Sequence, residues 1–260
     1  MISGESLGTL VLSIHLELDL EDQDRRDEQR LDQIRGRLIE LTKASGVRAT
    51  WAVADPMLSA ASESIFSADM GHEVAVLGDE AWLGKGCGRG RLARELARRF
   101  SAPRKAGMAV STLVLRKLTN VSDYDLLIQH GVTAIAGPAT SEGSSAPKTM
   151  QPSARFGLWQ PPTALRLPMR SKWWSPVTWV LRQEIKRTIR KRKVLHLSFD
   201  APRLIGDEDR GLNAIAAVLR YVAAKRDAGQ LATATVGELA SKALEAREGN
   251  PSRSILRPAA

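Results

Sequence analysis

Along 9–18 (TLVLSIHLEL) the residues are apolar and β-prone, as in a buried strand. Their two-residue period sets Ser13, His15 and Glu17 on one face and Ile14, Leu16 and Leu18 on the other. A charged stretch follows. Leu31, Ile34, Leu38 and Leu41 then recur at spacings of three and four and predict a helix over 29–45, stopped by Gly46. The alternation continues to the far end. Strands are predicted over 47–53, 71–78, 107–110, 132–135, 164–168, 194–199 and 233–235, and helices over 57–67, 91–100, 112–118, 124–130, 176–191, 208–228 and 236–247. Residues 137–162, rich in Gly, Ser, Pro and Thr, read as one long loop. Strands alternating with helices imply an α/β architecture, a mainly parallel sheet with helices outside it.

At 260 residues the chain suffices for one sizeable core, and its 43% hydrophobic and 26% charged content is that of a globular protein. The expected organisation is a single domain over 1–248 and a disordered tail over 249–260. No apolar run is long enough to span a bilayer, and the first residues lack a basic segment leading into a long apolar stretch, so a cytoplasmic address is expected. Cys87 is the only cysteine, which excludes an internal disulfide. There is no G-x-x-x-x-G-K-[ST], no G-x-G-x-x-G opening a helix after a strand, and no G-x-S-x-G. Nucleotide cradling and serine-hydrolase chemistry therefore have no support in the sequence.

The net charge of +9 is unevenly spread. Residues 182–193 (RQEIKRTIRKRK) set Lys186, Arg187 and Arg190 among a dense run of cations with one acid, Glu184. Such a run is either a solvated helix face or a concentrator of phosphate, anionic glycan or lipid headgroups. Trp159, Trp173, Trp174 and Trp179 precede it closely. Aromatic faces there would stack on sugar rings, support protein contacts or cover the rim of the fold. No recognised nucleic-acid motif accompanies them, so the expected partners are a carbohydrate, an anionic glycan or a protein, and not nucleic acid.

Several segments, in order, resemble one family. LVLSIHLELDL resembles the opening strand of NodB-like polysaccharide deacetylases ("SFDVELD"), GVRATW its "GVRATFF", GHEVAVLG its "GHEIGLH", FSAPRKAGM its "FRAP", and VLHLSFDAPRL with the helices after it the family's last strand and terminal helices. The resemblance spans about residues 9–242 and implies a distorted (β/α) barrel of the glycoside hydrolase/deacetylase type. It also implies hydrolysis of an N-acetylated sugar by a divalent metal held by one Asp and two His, with an Asp base and a His acid. The metal polarises the amide carbonyl and lowers the pKa of its bound water, and the acid protonates the departing amine.

Aligned on these motifs, the chain departs from the family at most of the reacting positions. His15 stands where the first strand carries its catalytic Asp, with Glu17 two residues on. Leu77 and Ala81 stand at the two metal-binding histidines, Ser101 at the orienting Arg, and Ser198 at the late His. Three readings follow. The first is a domain without metal-dependent deacetylation and without a cofactor, kept for binding carbohydrate or a partner. The second is a hydrolase with a relocated site at His15, Glu17 and His196, which have donor types suited to a divalent metal such as zinc. Asp79, Glu80, Ser198 and Asp200 would be nearby pocket residues. The third is a binder of anionic surfaces through 182–193.

Overall fold

The computed structural model describes residues 7–18, 25–67, 70–84, 86–116, 123–137, 151–152, 157–162, 164–166 and 174–248. The first strand, β1 (Gly8–His15), is buried along nearly its whole length and is the hub of the sheet. It is followed by α1 (Arg25–Ser45), β2 (Thr50–Val53), α2 (Ala60–Ser67) and β3 (Glu73–Gly78). Next come α3 (Glu80–Leu83), α4 (Arg89–Leu96), a π-helical turn over Ala97–Ser101, α5 (Ala102–Lys105) and β4 (Thr112–Leu115). The third quarter holds α6 (Tyr124–Gln129), β5 (Ala134–Ala136) and the short strands β6 (Gln151–Pro152), β7 (Trp159–Gln160) and β8 (Leu165–Arg166). The chain closes with α7 (Trp174–Lys191), β9 (Val194–Asp200), α8 (Glu208–Asp227), β10 (Leu231–Ala234) and α9 (Val236–Glu248).

The strands form one curled sheet in the order β6-β7-β5-β4-β3-β2-β1-β9-β8, parallel except where β6 meets β7. This is the distorted barrel expected from the sequence. On its other edge β1 serves two partners in turn. Gly8–Val11 pair with β10, and Ser13–His15 with β2. Side chains of alternating parity divide the core. Leu10, Leu12 and Ile14 point outward and pack with Ile34 and Leu38 of α1, Ile185 of α7 and Leu219 of α8. Val11, Ala52, Ala75, Leu77, Val114 and Ala134 fill the inside of the curl. Gly8 lets α7 lie directly on β1, since a Cβ there would stand 2.8 Å from the Thr188 carbonyl oxygen.

Three expectations are corrected. Residues 112–118 were predicted helical, yet Thr112–Leu115 is the central strand β4, with Leu113 packed outward and Val114 inward. A short apolar run carries no helical period of its own, and pairing between β3 and β5 decides it. Residues 107–110 do not form a strand. Trp159, grouped in the sequence with the surface tryptophans, lies inside the curl at 9% exposure.

At the N-terminal ends of the strands, the Glu73 carboxylate accepts hydrogen bonds from Thr50 Oγ1 (2.8 Å), the Gly237 amide (2.9 Å) and the Thr112 hydroxyl. Thr50 Oγ1 in turn accepts from the Val236 amide at 2.9 Å. One side chain thereby ties β2, β3, β4 and the start of α9 together. Burial pushes the Glu73 carboxyl above the usual carboxylate range, while these hydrogen bonds pull it down.

Candidate functional site

β1 and β9 place Val11 opposite His196, Ser13 opposite Ser198 and His15 opposite Asp200. The shared parity turns these side chains to the inside of the curl. Ser13 Oγ lies 2.7 Å from His196 Nε2, and His196 Nδ1 lies 3.1 Å from the Pro162 carbonyl oxygen. A carbonyl only accepts, so Nδ1 carries the proton and Nε2 accepts from the Ser13 hydroxyl. Burial, and secondarily the neighbouring His15, hold His196 down to about 4, so the ring is neutral at physiological pH.

The folded value lies below the ordinary 6.5, so the unfolded chain binds more protons between the two. The His196 contribution to stability is therefore complete above about 6.5 and is lost as pH falls toward 4, amounting to on the order of 3 kcal/mol. Denaturant midpoints across that window should slope down with acid, and the slope should flatten in His196→Gln.

Nearer the strand ends, His15 Nδ1 lies 2.8 Å from Asp200 Oδ1, a close electrostatic contact without the alignment of a hydrogen bond. His15 Nε2 lies 3.3 Å from Ser198 Oγ. Arg203 Nε holds the other Asp200 oxygen at 2.9 Å. Asp, His and Ser are the partners of a nucleophilic triad, but their order is inverted for attack. Asp200 stands at the end of its strand, whereas Ser198 lies two residues deeper and is 3% exposed. A nucleophile has to face its substrate, and Ser198 lies below the Asp200 and His15 side chains, so the arrangement differs from that of a nucleophilic triad.

Glu17 stands apart from both histidines. It lies beyond the end of β1, and its Oε1 accepts from the Ala54 amide at 2.8 Å, joining the ends of β1 and β2. Arg116, just past β4, donates to the Glu17 carbonyl at 2.7 Å. Among the described residues no three His, Cys, Asp or Glu side chains gather as a metal-binding group. Asp79 caps α3 by accepting from the Ala81 amide at 2.5 Å, and Glu80 is exposed on that helix. Lys186, Arg187 and Arg190 are exposed on α7, as is Trp179. Trp173 and the Trp174 side chain lie outside the described residues.

The sequence reading missed a cleft of about 430 Å³ at the C-terminal ends of β1 and β2, between the starts of α1 and α2. Leu16, Leu58, Glu17, Asp32, Arg35 and Asp55 are among the residues that line it. Asp55 is buried, with Oδ1 accepting from the Met57 amide at 3.0 Å and Oδ2 3.2 Å from Arg98 Nε. Its only sequence signal is position, two residues past a strand end.

No protein-family model and no curated protein matches the sequence. Solved structures do match. A protein from Mycobacterium smegmatis assigned as a polysaccharide deacetylase aligns with 99% of this chain and 96% of its own at 16% identity and a TM-score of 0.64. One from Pseudomonas aeruginosa, likewise assigned, aligns with 95% of this chain and 92% of its own at 13% identity and TM-score 0.60. The allantoinase PuuE aligns with 97% and 94% at 13% identity and TM-score 0.62. The chain has the polysaccharide deacetylase fold.

On that fold the residues at the expected metal positions do not fit a metal. Leu77 is buried in the apolar interior, and Ala81 is exposed on α3. Neither side chain has a donor atom. Both nitrogens of His196 are engaged, and those of His15 face Asp200 and Ser198. The segment read as "FRAP" also departs from the deacetylase pattern. Ser101 ends the π-helical turn with Oγ 2.9 Å from His130 Nδ1. Guanidinium groups reach the strand ends from Arg99, which donates to the Ala54 carbonyl and lies 5.0 Å from the Trp82 ring, and from Arg116.

Proposed function

We propose that this deacetylase-fold domain binds carbohydrate at the C-terminal ends of its strands and does not carry out metal-dependent deacetylation. The observation behind the second half is the donor set, with Leu77 and Ala81 at the metal positions and both histidines committed to neighbouring side chains. The cleft supports the first half. Carboxylates at Glu17, Asp32 and Asp55 can accept from sugar hydroxyls, and Leu16 and Leu58 offer apolar surface to the ring face. Leu58 is 80% exposed, so its side chain is accessible to a ring at the mouth of the cleft. A hydrolase at His15, Glu17 and His196 has less support, because Glu17 lies beyond the end of β1, turned to the Ala54 amide and apart from both histidines.

Titration calorimetry with an N-acetylglucosamine tetramer provides the test. Saturable binding with Kd near about 1 mM or tighter is expected, weakened at least about tenfold in Asp32→Ala and in Leu58→Glu. Acetate release from the same tetramer should stay at the blank level with or without added zinc or cobalt. Metal-stimulated release would overturn the reading, as would binding indifferent to both substitutions.

A further inference from the structure

Helix α7 has two contrasting faces. Leu181, Ile185 and Thr188 are buried, and Gly8 lets the helix backbone rest on β1, so α7 is fixed in its rotation. At 100° per residue, Trp179, Arg182, Lys186 and Arg190 fall within an arc of about 80° on the opposite side, a stripe roughly 16 Å long. All four are exposed, Trp179 to 62%. Glu184, the one acid of the run, lies 3.5 Å from Arg187, off the stripe. Arg182, Lys186 and Arg190 make no ion pair with a carboxylate among the described residues.

A second helix strengthens the stripe. Tyr221 of α8 has the Arg182 guanidinium 5.5 Å and the Lys225 ammonium 5.8 Å from its ring centre. The Tyr221 ring thus draws a cation from each of the two helices, and Lys225 extends the basic surface from α7 onto α8. Trp179 stands at the head of the stripe.

From this juxtaposition we infer that the outer face of α7, with Lys225 of α8, docks on an anionic phospholipid surface. The cations meet the headgroup phosphates, and Trp179 enters the interfacial layer, where the amphipathic indole is favoured. A duplex nucleic acid, whose bases are stacked away from the surface, or a free polyanion would use the cations alone and leave Trp179 in water. A lipid interface uses both. The buried face of the helix belongs to the barrel core, so the contact is peripheral and reversible. Among the described residues no helix is long and apolar enough to cross a membrane. The docking is independent of carbohydrate binding in the cleft.

The test uses the full chain with vesicles of phosphatidylcholine alone and of phosphatidylcholine mixed with phosphatidylglycerol. Sedimentation with the anionic vesicles only is expected, falling steeply as salt rises. Charge reversal at Arg182, Lys186 and Arg190 together should weaken it by more than about a hundredfold. Lysine at the two arginines should preserve it, and circular dichroism reports whether each variant is folded. Lipids brominated near the headgroup should quench tryptophan fluorescence in the parent, and much less in Trp179→Phe. Equal binding to neutral vesicles, no binding at low salt, or undiminished binding of the folded reversal variant would each overturn the inference. So would tighter binding to duplex DNA or heparin than to the anionic vesicles at the same salt.

Discussion

Alanine in place of Trp51 is expected to lower stability by about 3–5 kcal/mol, read as a fall in denaturant midpoint at constant slope. Trp51 is fully buried in β2, within the outer core formed with α1 and α8. Its indole meets the His72 ring edge-on, with centres 5.7 Å apart and planes at 85°. His72 is itself fixed, accepting at Nδ1 from the Ala49 amide at 3.1 Å. Truncation leaves a cavity that the fixed His72 ring cannot collapse into. Trp51→Phe should behave differently. The indole N–H is buried and meets no acceptor among the described residues, so phenylalanine removes a donor that is already unpaired. That gain offsets part of the lost volume, and the variant is expected within about 1 kcal/mol of the parent. A phenylalanine variant as unstable as the alanine one would contradict this account.

The second large effect is expected at Glu73. Glu73→Ala leaves the Thr112 hydroxyl and the Gly237 amide without their acceptor and frees Thr50 from its partner, at a cost of about 2–4 kcal/mol. Glutamine restores one acceptor oxygen but turns an NH2 toward donors, so Glu73→Gln should lie between parent and alanine. The pH dependence separates an electrostatic role from a packing one. The folded carboxyl titrates above its ordinary 4.5, so its favourable contribution is present below that value and diminishes as pH rises through the folded pKa. Glutamine cannot ionise. The gap between parent and Glu73→Gln should therefore narrow as pH rises from the acid side, measured by thermal melts in matched buffers.

The barrel was legible where elements are long and periodic. The β1 alternation set Ser13 and His15 on one face, as they lie in the structure, and α1, α8 and α9 end within a few residues of the predicted limits. What failed was local signal at short elements. Thr112–Leu115 is four apolar or β-branched residues, equally compatible with a helix until its neighbours in the sheet are known. The two-residue strands β6 and β7 have no period to detect. At the candidate site, His196, Ser198 and Asp200 share one face of β9 by their two-residue spacing. The register against β1 depends on contacts between residues more than 180 positions apart, which no local pattern encodes. Glu17 was grouped with the histidines because the two-residue period was carried past His15, where the strand stops.

The split edge of β1 bears on how the protein is made. Its outward leucines and inward Val11 leave the ribosome well before the strands that flank Gly8–Val11, β9 and β10, which come more than 180 residues later. At ordinary translation speeds they emerge on the order of tens of seconds later. Through that interval the Gly8–Val11 half of β1 is an apolar, β-prone segment with both edges open, the type of segment on which chaperones act and through which nascent chains aggregate. Slowing synthesis between β2 and β9 should therefore reduce the soluble yield of the intact protein more than the same pause placed after β10.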